Sequence, residues 1–286
     1  MKTKSTRRPA FTLVEMLVVI LIMSILVTLV TLGVTRAMRF ASEVGTKTEM
    51  AQIEQALGVA ALDLGRVPYI PSYLKLHNTP SGYGANPTGY DAMSRRLLQT
   101  MFPQWSDTNP ATWGDNKTLD GSQAFIFILG GVPDIGSKSV LGFAKTGNPM
   151  NTTGSNRKGP YYNFKAERLV DGGNGFFKYK DNWNNDGVFL IVYSSQMVGG
   201  ALNTNPDLAG PPRMAKSITN PAPLAGQLHM PKGYQIFSAG KDGVWGTYSA
   251  TSAFNGLLVN DPSTGKGGED DQCNFSESPL GKPIND

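Results

Sequence analysis

Soft metal ligands are scarce in this chain. Its 286 residues include one cysteine and two histidines, His77 and His229. That excludes an intramolecular disulfide framework and any cysteine-based zinc or iron–sulfur centre. Charge is sparse as well, at 17% of residues against a usual ~25%. No G-x-S-x-G, H-E-x-x-H, G-x(4)-G-K-[ST] or C-x-x-C pattern occurs, so the sequence carries none of these catalytic signatures. The expectation is a protein that is not an enzyme. Glycine and proline are plentiful, at 33 and 19 residues, which points to a loop-rich body.

The net charge of +4 is local. Lys2, Lys4, Arg7 and Arg8 fall in the first ten residues with no acid among them, and the rest of the chain balances. The body therefore offers no electrostatic case for nucleic-acid binding.

Behind that basic segment, Met16 to Val34 contains no charged residue. As a helix, residues 11–34 would span roughly 36 Å, enough to cross a ~30 Å hydrocarbon layer. The preceding positive charges predict a cytoplasmic N-terminus and a single crossing. The apolar run is too long for a secretory signal, and no A-x-A-like site follows it. A small residue stands before it instead, at Ala10. Cleavage after Ala10 would discard the basic segment and keep the apolar helix, whereas an uncleaved signal anchor would keep both.

Glu15 bears on that choice. A carboxylate in an apolar span costs about 2.5–3.5 kcal/mol on insertion scales, and such residues are usually functional. No basic side chain within the span can pair with it. A cut between Ala10 and Phe11 would create a partner, the new α-ammonium of Phe11, on the same chain or a neighbouring copy. Between copies, the pair would both drive assembly and fix its register.

Arg7-Arg8-Pro-Ala10 followed by Phe11-Thr-Leu-Val-Glu15 and a long apolar helix resembles the leader of type IV pilins and type II secretion pseudopilins. Ala10 stands where that family usually has Gly. The resemblance implies cleavage between Ala10 and Phe11 by a membrane prepilin peptidase, N-methylation of Phe11, and assembly through Glu15. The implied organisation is a leader over 1–10, a long helix over 11–64 with 11–34 as membrane span or fibre core, and a globular head over 65–286.

Beyond the span, Met50, Ile53, Leu57, Ala60/Ala61 and Leu64 recur at helical steps, with Lys47, Glu49, Glu54 and Asp63 between them as the solvated face. Gly65 and Pro68 supply the stop. One continuous helix would be about 80 Å long, weakened at Gly33 and Gly45 by ~1 kcal/mol each. In the head, residues 92–101 have helical spacing. Residues 124–129, 175–179, 188–193 and 233–238 read as strands. Asp181 to Gly187 form a turn string that predicts an antiparallel hairpin between residues 176–180 and 188–193. The proline-rich stretch 196–231 reads as a loop. The fold class is α+β, a long helix against a small antiparallel sheet.

Asp242, Asp270 and Asp271 are candidate calcium ligands, because they sit in Gly-bearing, oxygen-rich segments and calcium takes six to eight oxygens. The alternative is two solvated turns. The run Gly233-Tyr-Gln-Ile-Phe-Ser238-Ala-Gly-Lys-Asp242-Gly resembles the closing strand and loop of major pseudopilins, Y-x-x-x-S-x-G-x-D-G followed by a calcium-holding aspartate cluster. That implies a calcium loop within 233–275. Asp181-Asn-Trp183 resembles the same family's D-x-W-G, with Asn184 in place of Gly. Residues 182–193 mimic an EF-hand start but carry Tyr193 where a bidentate Glu is needed. His77 and His229 read as surface residues, and Cys273 as an inert thiol. Trp105, Trp113, Trp183 and Trp245 read as core before carbohydrate platform.

The resemblance is closest to the major pseudopilin of a type II secretion system. It implies self-assembly into a helical filament, with prepilin peptidase, other pseudopilins and the inner-membrane secretion platform as partners. The alternatives are a type IV pilus subunit or a membrane-anchored envelope binding protein or hydrolase.

Overall fold

The computed structural model describes residues 12–65, 73–183, 187–193, 197–198, 201–202, 234–243, 247–248, 258–259 and 272–274. The chain divides into two units, Met1–Gly45 and Thr46–Asp286. Helix α1, Leu13–Asp63, runs through Gly33 and Gly45 without a break.

In the first unit, the large apolar residues of α1 from Leu13 to Val34 are 44–79% exposed. The hydroxyls in this stretch are consumed internally. Ser24 donates to the Ile20 carbonyl at 2.7 Å, Thr28 to Ser24 and Thr31 to Val27 at 2.8 Å. A helix that meets hydrocarbon must satisfy its polar groups in this way. Among the described residues, this is the one helix long and apolar enough to cross a membrane.

In the second unit, α1 buries Thr46, Glu49, Met50, Ile53, Ala56, Leu57 and Ala60. The buried apolar positions match the expected periodicity. Glu49 does not, because it lies inside the packed face rather than on the solvated one. Gly65 ends the helix at φ +85°, and a Cβ there would stand 2.8 Å from the Thr100 carbonyl oxygen. The Asp63 carbonyl accepts from Lys158 Nζ at 2.8 Å, so a cation meets the negative end of the helix.

Strand β1, Tyr73–Leu76, pairs antiparallel with β2, Lys117–Asp120, and helix α2, Gly89–Met101, packs beside it. The sequence run 124–129 is not a strand. Helix α3, Gly121–Gly130, contains it and is buried on every side. The Asp120 carboxylate accepts from the Ser122 and Gln123 N–H groups and caps α3. Burial all round removes the periodicity that separates helix from strand, and only the cap signals the difference. Gln123 is tolerated there because its Nε2 donates to Asn174 Oδ1 at 2.8 Å and to the Phe176 carbonyl at 3.2 Å.

The expected hairpin is reduced to one rung. Lys180 and Val188 form an isolated antiparallel bridge, but the flanking strands take other partners. Strand β3, Leu169–Asp171, pairs with β4, Phe177–Tyr179. Strand β5, Leu190–Tyr193, pairs with β6, Tyr234–Ser238, which also pairs with β7, Gln272–Cys273. All these pairings are antiparallel, as α+β requires. Two-residue ladders join 133–134 to 139–140 and 143–144 to 157–158. Most of residues 196–231, expected as loop, lie outside the described residues.

The core is aromatic. Phe102, Trp105, Trp113, Phe127 and Phe143 are buried and meet at ring-centroid distances of 4.8–6.2 Å. Trp105 Nε1 donates to the Asn78 carbonyl and Trp113 Nε1 to that of His77. Trp183 is buried too, so none of these three indoles offers a platform to a sugar.

Candidate assembly and cation sites

The first candidate site is the start of α1. Ala10 and Phe11 lie outside the described residues. Glu15 Oε2 accepts from the Thr12 N–H and from Thr12 Oγ1, both at 2.8 Å. In return the Glu15 N–H donates to Thr12 Oγ1 at 3.2 Å. This reciprocal exchange is a capping box. Glu15, expected to have no basic partner within the span, is held locally by the uncharged Thr12. The signal was present as Thr12-Leu-Val-Glu15, the T-x-x-E spacing that opens a helix.

The second is the turn after β6. Ser238 is followed by a turn over residues 240–243 in which Gly240 and Gly243 both have φ +67°, a backbone that glycine adopts without penalty. Asp242 sits in this turn, exposed to solvent. Asp270 and Asp271 lie outside the described residues. The pairing of Ser238 with Gln272 is antiparallel, so the chain enters Gln272 at the end of the sheet where it leaves Ser238. Gln272 is 1% exposed, and among the described residues its Oε1 finds no hydrogen-bond donor. A buried oxygen with no donor among the described residues, on the residue paired with Ser238, suits a hard cation better than it suits an apolar core. Among the described residues, no group of three His, Cys, Asp or Glu side chains forms a closed metal site.

Beneath that turn lies Asp181, 3% exposed. Its Oδ2 accepts from Ser238 Oγ at 2.6 Å, its Oδ1 from the Trp183 N–H at 3.0 Å, and its own N–H donates to the Gly187 carbonyl at 3.0 Å. Burial pushes the Asp181 carboxyl above its ordinary value, against the opposing pull of the Ser238 hydrogen bond. The folded chain therefore holds this proton more tightly than the unfolded one. Its contribution is complete at low pH and fades as pH rises through the raised titration. Sequence reasoning singled out both motifs but had no signal that they touch.

A third cluster ties α1 to the head. Arg168 grips Glu49 with two hydrogen bonds, Nη1 to Oε1 at 2.8 Å and Nη2 to Oε2 at 2.7 Å. Tyr162 and Tyr179 hydroxyls donate to the same Oε1 at 2.8 and 3.2 Å. The guanidinium lies 4.4 Å from the Tyr179 ring centroid. Burial first, and the neighbouring Glu49 carboxylate second, push the Tyr179 phenol up to about 12.

Elsewhere, Cys273 is buried on β7, which suits an inert thiol. His77 rests edge-on against Tyr83 at 4.5 Å. His229 and Trp245 lie outside the described residues.

A family model described as the prokaryotic N-terminal methylation motif matches residues 6–31. Comparison with curated proteins and with solved structures returns no match for either. The matched segment holds Arg7, Arg8, Phe11, the Thr12–Glu15 capping box and the start of the apolar helix, and small antiparallel sheets follow later in the chain. By that motif and the long helix that carries it, the start of this chain is similar to that of type IV pilin-like proteins.

Proposed function

We propose that the chain is a structural subunit of a type II secretion pseudopilus. The observation that carries this reading is the methylation motif over residues 6–31, with Glu15 at the head of an apolar helix. In this reading the precursor waits in the bacterial inner membrane with its basic end in the cytoplasm and its head on the far side. Prepilin peptidase cuts between Ala10 and Phe11 and methylates Phe11. The subunit then leaves the membrane for a helical filament built on the inner-membrane platform with other pseudopilins, its role structural rather than catalytic. The secretion form is favoured over a pilus by the Tyr234–Gly243 strand and turn, whose spacing matches that of major pseudopilins.

N-terminal mass analysis of the membrane-extracted protein tests processing. The expected terminus is N-methylated Phe11, and an intact Met1 in functioning protein would refute it. Deleting the gene separates the two filament classes. Loss of exported proteins with intact surface pili supports the secretion form, whereas the reverse supports a pilus.

The head reading includes calcium at Asp242, with Asp270 and Asp271 as further ligands. The exposed Asp242 carboxylate and the Gln272 oxygen at the same sheet end, which has no donor among the described residues, fit an oxygen-seeking cation. Calcium would fasten the C-terminal segment, which no disulfide holds, and add its binding energy to folding. Asp242→Ala is then expected to lower the melting temperature only in calcium-containing buffer. Equal losses with and without chelator would count against the site.

A further inference from the structure

We infer that Asp181 is a positioning residue for the cation-binding turn, acting through the Ser238 hydroxyl; this inference rests on the calcium reading of Asp242.

The argument is a directed chain of hydrogen bonds. Asp181 has no role in solvent, since it is 3% exposed. Its Oδ2 accepts the Ser238 hydroxyl proton at 2.6 Å. With that proton committed, the oxygen of Ser238 turns its lone pairs elsewhere, and it accepts from the Gly240 N–H at 3.2 Å. Gly240 opens the turn at φ +67°, and Asp242 follows two residues later. The carboxylate thus sets the rotamer of Ser238, which sets the first N–H of the turn that presents Asp242. From the other side, Asp181 is itself fixed by the Trp183 N–H to its Oδ1 and by its own N–H to the Gly187 carbonyl. Ser238 also sits opposite Gln272, whose Oε1 lacks a donor among the described residues.

This is the logic of the groups behind a metal ligand, which orient the first contact without touching the ion. An acid held deep in the fold at the cost of desolvation needs such a return. A purely structural role is met by any group that fills the space and accepts from Trp183. A positioning role also requires that the Ser238 proton be taken. Asp181→Asn separates the two, because its amide oxygen keeps the Trp183 bond while its NH2 offers Ser238 a donor in place of an acceptor.

The test uses the processed full-length chain in detergent. Calcium binding is measured by titration calorimetry and by terbium luminescence for the wild type, Asp181→Asn, Ser238→Ala and the double variant. The melting temperature in chelator reports the fold. We expect each single substitution to weaken calcium about tenfold, the range seen when an outer partner of a metal ligand is removed. The double variant is expected to bind no more weakly than the worse single, since both act through one route. Melting in chelator should change little for Asp181→Asn. Wild-type binding with unchanged affinity in Asp181→Asn, or additive losses in the double variant, would overturn the positioning role and leave the calcium site standing. A wild type that takes up neither calcium nor terbium would overturn the calcium reading itself, and this inference with it. If Ser238→Ala does not fold, Asp181→Asn alone decides.

Discussion

Glu15→Leu is expected to leave membrane insertion intact and to abolish filament assembly. Removing a carboxylate from an apolar helix lowers the cost of insertion by about 2.5–3.5 kcal/mol, so the precursor should be membrane-bound at least as firmly as the wild type. What disappears is the anion that the Phe11 ammonium of an incoming subunit would seek. The capping box complicates this reading, because Glu15 also closes the helix start with Thr12, and losing a cap costs ~1 kcal/mol. Glu15→Gln resolves the two roles. Glutamine at this position still completes a capping box but carries no charge. If assembly needs the charge, Glu15→Gln fails as Glu15→Leu does, while Thr12→Val, which weakens the cap alone, still builds fibres. Electron microscopy of sheared or overexpressed filaments reads the outcome. Normal fibres from Glu15→Leu would remove the register role.

The same residues show how far sequence reasoning reaches. The long helix and its stop at Gly65 were legible, because its head-bound part repeats apolar residues at helical steps over four turns and because glycine at φ +85° is what a helix end demands. The spacing over residues 92–101 gives helix α2 as well, which starts three residues earlier at Gly89. Helix α3 reads as a strand in the sequence because a run buried on all sides carries no period. Its one clue, Asp120 capping Ser122 and Gln123, lay just before the apolar run. Of the hairpin, the described residues keep only the Asp181 N–H bond to the Gly187 carbonyl and the Lys180–Val188 bridge, because β4 and β5 pair elsewhere. Asp181 meets Ser238 across 57 positions of chain, a distance at which spacing carries no information. Glu49 was hidden for another reason. An acid on an amphipathic helix normally faces water, and its burial here is offset by Arg168, 119 positions away, together with the Tyr162 and Tyr179 hydroxyls.

That buried pair is where the head is most vulnerable. Arg168→Met is expected to destabilise the second unit severely. Both partners are nearly enclosed, with side chains 12% and 10% exposed for Arg168 and Glu49. Deleting one member of such a pair leaves an uncompensated charge and costs about 3–5 kcal/mol. In a domain of this size each kcal/mol lowers the melting temperature by roughly 2–4 °C, so a fall of about 10 °C is expected by thermal unfolding. Other contacts of the guanidinium are lost at once. The Lys180 carbonyl loses its bonds from Arg168 Nε and Nη2, and the Tyr179 ring loses the cation above it. Glu49→Leu combined with Arg168→Met removes the orphaned charge and should recover part of the loss, but not all of it. The hydroxyls of Tyr162 and Tyr179 would then point at an apolar side chain with no acceptor, each at a cost of ~1–3 kcal/mol. Adding Tyr162→Phe and Tyr179→Phe to that double variant should recover more. A double variant as unstable as Arg168→Met would show that packing, and not the stranded carboxylate, sets the penalty. The pair fixes where α1 docks in the head, and an all-apolar replacement tests whether stability or a single docking register is what it supplies.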